Sequence, residues 1–162
     1  MAGLQEAVQF WRRFGVEPVA ICPAWWERVR EQGRWGPPDW EAADARAMDQ
    51  LRREGVLYPS PAGEHDDLYI IDYTFRMDGF LVSNDKYRDH QRERNLPEDW
   101  IEERRIGFMF VRNAFLPNPD GIARLEQFCA ANSISPAHSG PAIPLLPPPP
   151  PVGAAPPVGA AP

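Results

Sequence analysis

HDDLYIIDYTFRMDGFLVSNDKYRD, residues 65–89, carries six aspartates, yet its apolar residues are spaced as in buried structure. The doubled acid Asp66-Asp67 opens a periodic segment through Leu68, Ile71, Tyr73, Phe75 and Met77. Alternation fits this segment nearly as well as helical spacing, so periodicity alone leaves helix and strand open. Length and the acidic start decide for a helix, because carboxylates complement the positive end of a helix dipole. Met77-Asp78-Gly79 then reads as a turn, and Phe80-Leu81-Val82 as a short buried strand ending in Ser83-Asn84-Asp85. Polar groups at the carboxyl end of such a strand are where open α/β sheets build their sites. The stretch therefore predicts that Asp67 and Asp85, with Asp66 and Asp89 beside them, converge on a divalent metal.

Working outward, Leu4, Ala7, Val8, Trp11 and Phe14 recur at helical spacing, with Gly15 where a C-terminal cap belongs. Residues 18–22 read as a buried strand stopped by Pro23. The Trp-, Arg- and Gly-rich run that follows is an irregular connection whose tryptophans cover a core. Asp39 is placed to cap a second helix over 40–54, with Ala43, Ala47, Met48 and Leu51 inward and Gly55 as terminator. Residues 56–58 form a short strand ended by Pro59. Beyond the acidic stretch, Asn84 or Asp85 caps a short helix to about Arg92, and a helical turn covers 100–103. Residues 106–111 read as one more buried strand, and Phe115-Leu116 precede a proline loop. Asp120 caps a last amphipathic helix carrying Ile122, Leu125 and Phe128. This alternation implies a mainly parallel, three-layer α/β domain.

From Ser133 the chain becomes rich in Pro, Ala and Gly, and its prolines fix φ and remove backbone donors. The expected division is a folded domain over 1–132 and a disordered tail over 133–162. The net charge of −6 argues on average against a nucleic-acid partner. The bases nevertheless cluster, and Lys86, Arg88, Arg92 and Arg94 directly follow the acidic stretch. Such runs are commonly solvated helix faces. Cys22 and Cys129 support neither a disulfide framework nor a zinc site. With no signal core and no membrane-length apolar run, the expected location is intracellular, cytoplasmic or nuclear.

His65, His90 and His138 are scattered along the sequence, Ser83 has no base beside it, and no Gly-rich phosphate loop exists. Carboxylate chemistry remains, and hard oxygen ligands suit Mg²⁺ or Mn²⁺. Each acid also has a plainer reading. Asp66 alone is a helix-start acid, Asp72 a solvent-facing residue and Asp78 a turn residue. Asp85 serves equally well as a helix cap or a metal ligand. Asp89 shares its face only if the helix begins at Asp85.

The run D-D-x-x-I-I from Asp66, then D-G-F-L-V-S-N-D-K-Y-R-D from Asp78, W-I-E-E-R-R-I-G-F-M-F-V from Trp100 and F-L-P from Phe115 resembles the NYN-type PIN domain of the regnase (MCPIP) ribonucleases. The similarity continues, more thinly, through residues 19–25 and Pro38-Asp39, and covers about residues 4–130. The resemblance implies a PIN-like doubly wound sheet and a Mg²⁺-dependent endoribonuclease acting on single-stranded or stem-loop RNA. On that pattern Asp67 and Asp85 match acidic-site positions, with Asp66 and Asp89 as neighbouring acids and Ser83 and Asn84 shaping the strand end. Lys86, Arg88 and Arg92 are candidates for RNA backbone contacts, which position without reading sequence. Some relatives act as oligomers, and the proline-rich tail is a candidate ligand for SH3 or WW domains.

Two departures accompany the resemblance. The family has an early central strand of the form apolar-apolar-Asp-Gly-x-Asn, and this sequence starts at the helix that follows it. The expectation is an N-terminally incomplete sequence with a sheet opened in its middle, the alternative being an altered chain of reduced activity. The CCCH zinc finger of some relatives is also missing. Two other function classes remain in view: a non-catalytic RNA-binding or scaffold module, and a metal-dependent phosphatase. The phosphatase reading lacks an Asp-x-Asp after a first strand.

Overall fold

The computed structural model describes residues 2–26, 42–63, 65–93, 96–97, 99–132 and 134. Helix α1 (Ala2–Phe14) buries Val8 and Trp11. It stops at Gly15, whose φ of 88° is a left-handed conformation that only glycine adopts without strain. Strand β1 (Ala20–Cys22), helix α2 (Ala42–Arg53) and strand β2 (Leu57–Pro59) follow, and β1 pairs with β2 in parallel. A parallel pair needs a crossover, which α2 supplies. The sequence ends this second strand before Pro59, but the structure carries it through Pro59, which sits opposite Cys22. Val8, Cys22, Met48, Leu51, Val56 and Leu57 form the first apolar cluster. Ala43, expected inward, is exposed, and the residue of that first turn which packs on the cluster is Ala45.

The second unit comprises α3 (Asp66–Arg76), β3 (Leu81–Val82), α4 (Arg88–Glu93), α5 (Trp100–Arg104) and β4 (Arg105–Ile106). Residues 66–76 are helical, as the acidic start predicted, and the buried face is Tyr69, Ile71 and Thr74. Phe75, one turn on from Ile71, is half exposed and meets the Trp100 ring edge-on, and Met77 is exposed just past the helix end. Asp78 takes φ 48° in the turn and pairs with Arg104 at 2.8 Å. Strands β3 and β4 pair in parallel, Val82 opposite Ile106. Ile71, Leu81, Tyr87, Trp100 and Ile101 form the cluster beneath the acidic stretch. Helix α3 packs against both β1 and β3.

The expected single strand over 106–111 is two. At Gly107 the backbone leaves the β3 ladder, because its carbonyl accepts from Asn118 N and the next amide, Phe108 N, donates to the Asn84 side chain. Strand β5 (Phe108–Val111) then forms an antiparallel hairpin with β6 (Ala114–Pro117). Arg112 and Asn113 turn it with φ of 48° and 68°, the mirror-image turn that matches strand twist. Met109, Phe110 and Val111 are consequently exposed rather than buried. The last helix, α6 (Pro119–Ala131), is capped by Asn118 and not by Asp120. Asp120 lies inside the helix and gives its amide to Asn118 Oδ1 at 2.8 Å. Gly121 lets α6 lie directly on β4, since a Cβ there would come within 2.9 Å of Ile106 Cγ2.

Among the described residues, β1–β2, β3–β4 and β5–β6 are three separate two-stranded sheets, so β1 and β3 are each paired along one edge. Two parallel βαβ units with helices packed on them are the α/β arrangement that alternation predicted and fit the PIN-like fold that the resemblance implied. No described helix is long and apolar enough to cross a membrane. The Asp39 cap, the arginines of 28–34 and the tail from 135 onward lie outside the described residues.

Candidate functional site

Asp66 and Asp67 occupy the first turn of α3, where the helix dipole favours their charge. His65 stands at the N-cap position with extended backbone but makes no side-chain capping bond. Its ring instead lies beside the two carboxylates, Nδ1 being 3.8 Å from Asp66 Oδ1 and 3.7 Å from Asp67 Oδ2. The other half of the site hangs from the end of β3. Ser83 N donates to Ile106 O at 3.1 Å, which ends the β3 ladder. Asp85 N then donates to Ser83 Oγ, and Asp85 Oδ1 accepts from Tyr87 N at 2.8 Å. That local bond holds Tyr87 at φ 49°, a conformation costly for an aromatic residue and kept only when its surroundings fix it.

Tyr87 is the residue that joins the two halves. Its ring is buried in the cluster with Ile71 and Leu81, and its hydroxyl donates to Ser83 Oγ at 3.1 Å. Burial pushes the phenol above its ordinary value, the Ser83 hydrogen bond opposes this, and the charges of Asp67, Asp85 and Asp66 push it further up. Three of the four acids predicted from sequence therefore act on one phenol. Asp89 is exposed in the first turn of α4, and that helix begins at Arg88. Asp85 thus precedes the helix and does not share a helical face with Asp89, contrary to expectation. It caps a turn, not α4.

Asn84 has a different job from helix capping. Its Oδ1 accepts from Phe108 N at 2.9 Å, which ties the loop after β3 to the start of β5. Arg105 reinforces the same loop by donating to Ser83 O at 3.2 Å. Asn84→Ala should lower unfolding stability by about 1 kcal/mol, the usual worth of one such bond, read from the denaturant midpoint. Asn84→Asp, which keeps the acceptor, should lose less. Lys86 and Arg88 are exposed beside this loop, and Arg92 lies in α4 with its side chain outside what the structure describes.

Sequence spacing missed the histidines. His90, far from His65 in the chain, lies near it with ring centroids 5.4 Å apart and planes tilted by 50°. His90 Nε2 lies 3.8 Å from the same Asp67 Oδ2, and donor atoms of His65, Asp67 and His90 lie within 4.8 Å of one another. The legible signal was position: His65 immediately precedes the doubled acid, and His90 immediately follows Asp89. The carboxylates of Asp66, Asp67 and Asp85 are hard oxygens of the kind Mg²⁺ takes, while among the described residues the group whose donor atoms all lie within 4.8 Å is His65, Asp67 and His90. The imidazoles add nitrogen donors on one flank of Asp67.

The model of the Zc3h12a-like ribonuclease NYN domain family matches residues 1–128. Endoribonuclease rege-1 of Caenorhabditis elegans is 32% identical over 129 residues, covering 76% of this chain. The match spans only 20% of that protein's length. A family match over most of the described fold leads to one conclusion: the chain belongs to the Zc3h12a-like ribonuclease NYN domains.

Proposed function

We propose that residues 1–132 are the nuclease module of a metal-dependent endoribonuclease that cleaves single-stranded RNA. The observation that carries this reading is the placement of the acids, Asp66 and Asp67 in the first turn of α3 and Asp85 in the hydrogen-bonded turn just past β3. Family membership and the likeness to an endoribonuclease support the same reaction class. Asp67 and Asp85 are the residues that hold the ion, with Asp66 and Asp89 as further acids of the pocket. When bound, Mg²⁺ activates water and screens the phosphodiester charge. Tyr87 braces the pocket floor and keeps Asp85 in place through its amide. Ser83 and Asn84 fix the loop, and the exposed Lys86 and Arg88, with Arg92, contact flanking phosphates of the strand.

The test uses the 162-residue chain and a single-stranded RNA labelled at both ends. Internal cleavage that requires Mg²⁺, stops with EDTA and spares a perfect duplex is the expected result. Binding that weakens steeply with salt, without turnover, would instead make the chain an RNA-binding module.

A further inference from the structure

The His65–Asp67–His90 cluster has a chemistry that the carboxylate site does not use. Two imidazole nitrogens and a carboxylate oxygen suit Zn²⁺ and similar borderline ions, while Mg²⁺ prefers oxygen alone. The geometry is close to that of a bound site. With metal–ligand bonds of about 2.0–2.2 Å, tetrahedral donors stand roughly 3.4 Å apart. Asp67 Oδ2 already sits 3.7 Å from His65 Nδ1 and 3.8 Å from His90 Nε2. Small side-chain rotations close the difference, and the exposed His65 ring has room for them. The three ligands come from the N-cap and first turn of α3 and from α4, so the fold brings them together rather than sequence adjacency.

Other features of the His65 position agree. N-cap positions favour Ser, Thr, Asp and Asn, whose side chains bond the first amides. His65 makes no such bond, and its ring is turned to the carboxylates. The ring also packs against His90, which holds the two imidazoles on one side of Asp67.

We propose that His65, Asp67 and His90 form a binding site for a divalent transition-metal ion, with Zn²⁺ as the probe. Three protein ligands leave a coordination position open, the arrangement of an exchangeable rather than a structural ion. Asp67 is common to this site and to the nuclease pocket. An ion held by the histidines therefore withdraws Asp67 from Mg²⁺ and inhibits cleavage, a regulatory consequence that rests on the nuclease reading, whereas the binding itself does not.

Isothermal titration of the full chain with Zn²⁺ should show one bound ion, and Co²⁺ should give visible absorption of a tetrahedral nitrogen–oxygen site. In the double variant His65→Ala, His90→Ala the affinity should fall by at least about tenfold, since loss of even supporting ligand contacts has that effect. The Co²⁺ band should vanish with it. The variant His65→Gln, His90→Gln keeps polar side chains and serves with circular dichroism as the folding control. Zn²⁺ affinity within twofold of wild type in folded double variants overturns the site. For inhibition, the Zn²⁺ concentration that halves Mg²⁺-dependent cleavage should rise in the double variant by the same factor as the binding constant. Histidine-dependent Zn²⁺ binding without any RNA cleavage would refute the nuclease reading and leave the site. Cleavage with histidine-independent Zn²⁺ binding would do the reverse.

Discussion

Asp85→Asn should lower Mg²⁺-dependent cleavage of single-stranded RNA by about three orders of magnitude without unfolding the chain. A carboxylate that holds a catalytic ion supports several kcal/mol of transition-state stabilisation, and each tenfold in rate is about 1.4 kcal/mol. Asparagine keeps the Oδ1 that accepts from Tyr87 N at 2.8 Å, so the strained turn survives the loss of charge. The Asp85 amide still donates to Ser83 Oγ. Asp85→Ala removes the acceptor as well, and should be less stable than Asp85→Asn by about 1 kcal/mol. Single-turnover cleavage rates beside thermal melts separate the two effects. A rate for Asp85→Asn within tenfold of wild type removes Asp85 from the proposed pocket.

Ile106→Ala should have the largest effect on stability, about 2–5 kcal/mol, the range for truncating a buried branched side chain. Ile106 is fully buried among Trp11, Phe115, Leu125 and Cys129, where α1, β6 and α6 meet. Gly121 lies against its side chain, and a glycine has nothing with which to refill the space. The melting temperature should drop by roughly 10 °C for a domain of this size. Activity should fall in parallel at temperatures where the variant remains folded, because Ile106 O receives the Ser83 amide that anchors the acidic loop. A variant that melts within about 2 °C of wild type would show that the core does not hang on β4.

Much of this was legible in the sequence, for identifiable reasons. Helices α1 and α6 announce themselves through apolar spacing and α3 through its length and acidic start, and Gly15 and Gly55 mark real left-handed ends. Asp67 stood out because a doubled acid exceeds what helix capping requires, whereas Asp85 fitted a cap and a metal ligand equally well by pattern. Fine assignments failed where a backbone group found a partner distant in sequence. Phe108 N turns to Asn84, so a run that reads as one buried strand divides at Gly107. Asn118 takes the capping role that pattern gave to Asp120, since Pro119 can open a helix and Asp120 then falls inside it. His65 and His90 were unreadable as a pair, because no local spacing encodes a contact made by the folding of α4 against the start of α3.

The separation of the two parallel strand pairs gives the acidic pocket an unusual mechanical footing. Asp66 and Asp67 ride on α3, whereas Asp85 is fastened to the β3–β4 unit. Sheet register moves only in whole residue steps, so carboxylates carried on one continuous sheet would hold a fixed spacing. Here no strand hydrogen bond links β1 to β3 among the described residues, and the spacing of the acids is set by how α3 seats on both. Packed side chains can slide by fractions of an ångström. A substitution that reseats α3 would therefore move Asp67 relative to Asp85 without breaking a strand hydrogen bond.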